Sequence, residues 1–175
     1  MEDEVQVQHI KAYVTKSSID TSKAVVVLQD IFVWQVPNTR YMADMIAGNG
    51  YTTIVPAFFV DQEEWMKDNH KPLPKPEVLG TTQNPGIVRY SQDVHSLKNP
   101  TLFIFAENDA VIPLEQVALL TQKLKEHCQV EYQIKIFSGQ THGFVHRKKE
   151  ACSPEDKPYI DEAGRNLIEW LNKYF

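Results

Sequence analysis

Apolar and polar positions along the chain fall into short blocks whose period switches between two and about three and a half. From Val5 to Val14 they alternate, with Val5, Val7, His9, Lys11 and Tyr13 on one face. That is the two-residue period of a half-exposed strand at a sheet edge. Turn formers follow in Ser17-Ser18-Ile19-Asp20-Thr21-Ser22. Ala24-Val25-Val26-Val27-Leu28 is then a continuous apolar run, the pattern of a strand buried on both faces. Pro37 fits the first turn of a helix with apolar positions Tyr41, Met42, Met45 and Ile46, and Gly48 and Gly50 end it. Thr52 to Val55 reads as a second buried strand, closed by Pro56.

The later part repeats this grammar. Thr101 to Ala106 predicts a short buried strand, and Pro113 precedes a helix over Leu114–His127 with Val117, Leu120 and Leu124 along one side. Val130 to Phe137 alternates as a strand. Lys157 to Tyr174 carries Ile160, Ala163, Leu167, Ile168 and Leu171 at helical spacing. Strands alternating with helices predict an α/β fold, a mostly parallel sheet flanked by helices. The stretch 67–85 breaks the pattern: Pro72, Pro74, Pro76 and Pro85 stand among polar residues with no strand or helix period, as in a polyproline-like linker.

Composition narrows the function classes. The chain has 175 residues, 42% hydrophobic and 23% charged, which suits one globular domain. Its net charge of −5 and lack of a basic block argue against a nucleic-acid or anionic-membrane surface as partner. No apolar run has the length to cross a bilayer. The acidic start Met1-Glu2-Asp3-Glu4 lacks the apolar core of a secretory signal. Cys128 and Cys152 make neither a disulfide framework nor a zinc-type spacing. A reduced, cytosolic chain is expected.

Two groups stand where open α/β sheets place their chemistry, just beyond the carboxyl ends of strands. Asp109 follows the Thr101–Ala106 strand, and His142 follows the Val130–Phe137 strand. An acid and then a histidine in those places form the Asp…His half of an α/β-hydrolase triad: the carboxylate fixes the imidazole's tautomer, and the imidazole moves protons. The plainer alternative has Asp109 capping the next helix and His142 lining a turn. Phe32 and Trp34, after the first buried run, either line a ligand pocket or cover its mouth. His146-Arg147-Lys148-Lys149 reads as a solvated surface turn, and His9, His70, His95, His127 and His146 show no metal-ligand spacing.

The third triad member is missing. A nucleophile elbow needs small residues two positions either side of the nucleophile. Among the seven glycines only Gly139 and Gly143 have that spacing, and they bracket Thr141 on the histidine loop itself. Ser91 has Arg89 and Asp93 at those positions and no room for a following helix before Pro100. Cys128 ends a helix, where the dipole disfavours a thiolate, and Cys152 sits in a polar loop.

Four segments taken in order resemble the dienelactone hydrolase family. They are Leu28-Gln29-Asp30-Ile31-Phe32, Gly50-Tyr51-Thr52-Thr53-Ile54-Val55-Pro56, Phe105-Ala106-Glu107-Asn108-Asp109 and Thr141-His142-Gly143-Phe144. The resemblance covers residues 5–66 and 86–175. It implies a truncated α/β-hydrolase fold and a cytosolic cysteine hydrolase of small esters and lactones, with no metal or organic cofactor. Asp109 matches the family's triad acid and His142 its triad histidine, while Asp30 matches an acidic position that helps control the thiol. The family's Gly-Phe-Cys-x-Gly-Gly elbow has no counterpart, its strand and helix being replaced by the Pro-rich stretch 67–85. Val33 stands where the family has glycine, and Ala57 where it has aspartate after Pro56. With a central strand gone, the flanking strands must pair directly, pair with another copy of the chain, or expose edges. The expectation is one domain over 1–175 that is either a weak hydrolase or a non-catalytic module binding a ligand or partner.

Overall fold

In the computed structural model, residues 2–7, 10–19, 21–28, 37–57, 94, 97–147 and 152–175 are described. The chain divides into two compact units, Met1–Leu73 with Phe175, and Pro74–Tyr174.

The first unit holds strands β1 (Glu2–Val7), β2 (Ile10–Thr15), β3 (Ala24–Val26) and β4 (Thr52–Pro56), and helix α1 (Pro37–Gly48). The strand order is β1-β2-β4-β3, with β1–β2 and β2–β4 antiparallel and β3–β4 parallel. The single alternating strand expected over Val5–Val14 is thus two arms of a hairpin, pairing Val5 with Ala12 and Val7 with Ile10. Directly opposite residues share a face, so the hairpin shifts that face from an odd position, Val5, to an even one, Ala12, which one continuous alternating strand does not allow for.

A small core gathers Tyr13, Ala43, Val55 and Ala57. Helix α1 buries Thr39, Ala43, Ile46 and Ala47 rather than the larger Tyr41, Met42 and Met45. The strand expected to be buried on both faces departs furthest. Within the described residues β3 ends its sheet's strand order, and Val26 is 55% and Leu28 70% exposed. A continuous apolar run reports what a strand would bury, while burial itself needs neighbours on both sides.

Among its described residues the second unit forms a two-stranded parallel sheet with a helix on each face. It comprises β5 (Thr101–Asn108), α2 (Leu114–His127), β6 (Tyr132–Thr141), a 3-10 turn (Phe144–His146) and α3 (Lys157–Tyr174). Alternation along β5 sorts its side chains between two cores. Phe103 and Phe105 join Val94, Val117, Leu120 and Leu124 beneath α2. Ile104 and Ala106 join Phe137, Phe144, Ile160 and Ala163 beneath α3. Both helices begin and end where the sequence predicts. The strands run on further, β5 through Asn108 and β6 through Thr141, and their extended ends carry the site. Among the described residues no helix is long and apolar enough to cross a membrane.

Candidate active site

Two turns of opposite character deliver the site. Past the end of β5, Asp109 is almost wholly buried, and its Oδ1 accepts the backbone N–H groups of Val111 at 2.8 Å and Ile112 at 2.9 Å. This is an Asx-type turn, in which a short carboxylate captures the donors that follow it. Pro113 then opens α2 with no side-chain cap, so Asp109 organises the loop before the helix rather than capping the helix itself.

Past the end of β6, Gly143 reverses the chain at φ 71°, a conformation that a Cβ would strain. The reversal drives Phe144 into the core, where its ring packs on Phe137 at 5.1 Å. His142 is held between that anchor and the strand.

The two turns meet. His142 Nδ1 lies 3.0 Å from Asp109 Oδ1 and 2.9 Å from Oδ2. A carboxylate only accepts, so Nδ1 carries the proton and donates it to Asp109, which leaves Nε2 the ring's basic nitrogen. The Asp109 side chain is 7% exposed and that of His142 54%, a shielded orienting group behind an imidazole that solvent and small molecules reach. The same carboxylate thus ties the loop that leads into α2 and partners the imidazole, without capping the helix itself.

Burial pushes the Asp109 pKa up. The Ile112 amide, the His142 hydrogen bond, the Val111 amide and the imidazole's charge together more than reverse this, and the carboxyl sits below the usual aspartate value of 3.8. A group with a depressed folded pKa adds stability in full above its unfolded pKa and loses it as pH falls through the folded value. Asp109→Asn is therefore expected to flatten part of the acid limb, its unfolding free energy changing less than wild type's between about pH 5 and about pH 3. Urea denaturation across that range measures the difference.

Sequence reasoning missed the polar frame around this pair. Glu107 Oε2 accepts from Ser138 Oγ at 2.7 Å and from the Gly139 N–H at 2.8 Å. Gln140 is buried and donates to Asp156 at 3.0 Å, while Arg147 donates to Thr141 Oγ1 at 2.5 Å and lies 3.9 Å from Asp156. Arg147, half-exposed, thus adds polar contacts to the histidine loop. Past Phe137 the sequence runs Ser138-Gly139-Gln140-Thr141, with no apolar position to signal that the strand continues.

The two cysteines pack against different cores. Cys128 follows α2 against the Leu124 core and directs its thiol to the Val130 carbonyl at 3.4 Å. Cys152 packs beside the Phe137–Phe144 core. Among the described residues no group of three His, Cys, Asp or Glu side chains is placed to hold a metal ion. The candidate ligand-contacting residues Asp30, Phe32 and Trp34 lie outside the described residues, as do Val33, Ser91 and the stretch 67–85.

The sequence pattern of the dienelactone hydrolase family matches residues 10–89 and 85–175. The chain belongs to the dienelactone hydrolase family. Its similarity to the carboxymethylenebutenolidase homolog of Homo sapiens is 57% identity over 221 aligned residues, covering 98% of this chain and 90% of that protein. Two solved structures share the fold. One is a provisionally assigned dienelactone hydrolase from Klebsiella pneumoniae subsp. pneumoniae MGH 78578, with TM-score 0.68, 15% identity, and 99% of this chain and 98% of that one covered. The other is MGS-M1, an α/β hydrolase enzyme from a Medee basin deep-sea metagenome library, with TM-score 0.52, 13% identity, and 98% of each chain covered.

Members of the dienelactone hydrolase family thus share an α/β-hydrolase fold with this chain, here built of mixed rather than purely parallel pairings. The match to the family is also interrupted. It comes as two pieces meeting at 85–89. The aligned length of 221 exceeds the chain's 175 residues, so more than forty aligned positions hold a residue of the human relative and none of this chain.

Proposed function

We propose that this chain is a cytosolic hydrolase scaffold for small carboxylic esters and lactones that retains the Asp109–His142 pair and lacks the family's cysteine nucleophile. It is read as one domain, with the Pro-rich stretch 67–85 standing in place of the elbow and Asp30, Phe32 and Trp34 as the candidate substrate-binding residues. No cofactor enters the reaction. The observation that carries the proposal is the bond from His142 Nδ1 to a shielded Asp109, with the imidazole left open on its other side.

With no thiolate, the available chemistry is general-base hydrolysis. His142 Nε2 takes a proton from water as the oxygen attacks the ester carbonyl. Asp109 steadies the imidazolium. The tetrahedral intermediate then collapses, and the departing alkoxide takes the proton back from Nε2. Such assistance contributes roughly 10²- to 10⁴-fold, well short of a complete triad. Esters with good leaving groups are its best substrates.

The test is turnover of an activated phenyl ester and of a lactone by purified chain, beside His142→Ala, Cys128→Ala and Cys152→Ala. Weak turnover abolished by His142→Ala and unmoved by either cysteine change is the expected result. Turnover lost with a cysteine change instead points to a relocated thiol. Turnover indifferent to all three substitutions sinks the hydrolase reading and leaves a non-catalytic binding module. The interrupted family match favours that second reading, because it removes the segment that carries the nucleophile in the resemblance. The exposed Val26 and Leu28, on the strand that ends the first sheet among the described residues, support a companion proposal, that copies of the chain pair through this edge. Val26→Lys is then expected to shift sedimentation toward monomer.

A further inference from the structure

Strand register decides whether Asp109 meets His142. Along most of their length β5 and β6 pair in one register, from Thr101 opposite Tyr132 to Ala106 opposite Phe137. Continued unchanged, that ladder would set Asp109 opposite Gln140. The next pair is instead Asn108 opposite Thr141. One residue of β5, Glu107, therefore faces three of β6, Ser138 to Gln140, and the longer strand bulges outward there. The register gained by the bulge places His142, not Gln140, beside Asp109.

A bulge leaves backbone donors without ladder partners, and each needs another acceptor. Here the acceptor is Glu107. Its Oε2 takes both the Gly139 N–H and the Ser138 hydroxyl, while Gly139 adopts φ 71° to make the bend. We propose that Glu107 is a positioning residue for the Asp109–His142 pair, its carboxylate pinning the bulge of β6 that sets the histidine opposite the acid. The inference rests on reading that pair as the reacting groups, and it deepens that reading by naming what holds them in register. The Gly139 amide and then the Ser138 hydroxyl also hold the Glu107 carboxyl below its usual pKa, so the charged clamp is present throughout the neutral range. Gln140, displaced from the Asp109 position, is taken up by Asp156 on the far side. The loop is thus tied at both margins, and only Glu107 lies on the strand that also bears the acid.

The test separates positioning from ordinary stabilisation. Full-length chain carrying ¹⁵N-labelled histidine is prepared as wild type, Glu107→Ala, Glu107→Gln, Ser138→Ala and Asp109→Ala, with His142→Ala to assign the ring signals. Wild type is expected to show the Nδ1–H tautomer of His142. Glu107→Ala is expected to move the ring nitrogens most of the way to the values of Asp109→Ala. Glu107→Gln, which keeps an acceptor but not the charge, should fall between them.

Ester turnover should drop about tenfold in kcat in Glu107→Ala with KM little changed, as for a reacting group held off its geometry. A Glu107→Ala chain with a lower melting temperature but wild-type ring signals overturns the proposal, because that is what a merely structural residue would give. If Glu107→Ala fails to fold, Glu107→Gln and Ser138→Ala read the same signal, and wild-type values in both overturn it equally. The ring signals need no turnover. A chain that hydrolyses nothing yet shows the Glu107-dependent tautomer retains this inference while losing the hydrolase reading.

Discussion

Inserting the residues of the human carboxymethylenebutenolidase homolog that fall opposite the gap, at the junction before Gly86, is expected to raise ester and lactone turnover by roughly a thousandfold or more. The size follows from how a triad works. Acid, base and nucleophile act as a unit, so a site without its nucleophile keeps only a small remnant of the full rate. This chain holds acid and base in bonded contact, with the base open to substrate. What a graft supplies is the element that the resemblance places in the missing segment, a cysteine on a tight elbow.

Two controls make the result interpretable. The graft with its elbow cysteine changed to alanine should return to the ungrafted rate, and the graft with His142→Ala should do the same. A graft that folds and still shows no gain would mean that the Asp109–His142 geometry is not competent, and the hydrolase proposal would fail with it. A second readout is stability. If the inserted strand covers the exposed β3 edge, the grafted chain should resist urea better than the chain without it, since Val26 and Leu28 then lose contact with water.

That graft could be designed because much of the molecule is legible in the sequence. Helices α2 and α3 begin and end where apolar spacing and Pro113 place them, because each is a long amphipathic element whose one apolar face meets one sheet. The rule that chemistry sits past strand ends picks out Asp109 and His142 from the sequence, and the fold brings the two side chains into contact. Three things stayed hidden, each for a definite reason. The β1–β2 reversal shows in the sequence only as a one-residue change of phase, Val5 sharing a face with Ala12, which a reading as one alternating strand passes over. The exposure of β3 depends on which strand lies next to it, which no single strand encodes. The bulge opposite Glu107 belongs to a pairing between two strands, so neither strand alone betrays it. Helix α1 adds a subtler case: its buried face is the one with Ala43 and Ala47, because close packing over a strand selects small side chains above the most hydrophobic ones.

Asp109→Asn in the grafted chain is expected to lower kcat by about 10⁴-fold while leaving the fold intact, and Asp109→Ala to lose both activity and stability. The two substitutions part company because Asp109 does two things at once. Its Oδ1 accepts the Val111 and Ile112 amides, and both of its oxygens lie within hydrogen-bond reach of His142 Nδ1. An asparagine keeps an oxygen for the two amides, so the loop into α2 survives. Its NH₂ group, however, turns a donor toward the imidazole. Nδ1 must then accept, the ring proton moves to Nε2, and Nε2 can no longer take a proton from the nucleophile. Alanine supplies no acceptor at all. Leaving two amides of a part-buried turn without partners costs roughly 1–3 kcal/mol each at most, visible as an earlier midpoint in urea. Kinetics and denaturation on the same two variants therefore read two separate functions of one side chain. If Asp109→Asn retained the grafted rate, the carboxylate would be structural only, and His142 would be acting without its partner.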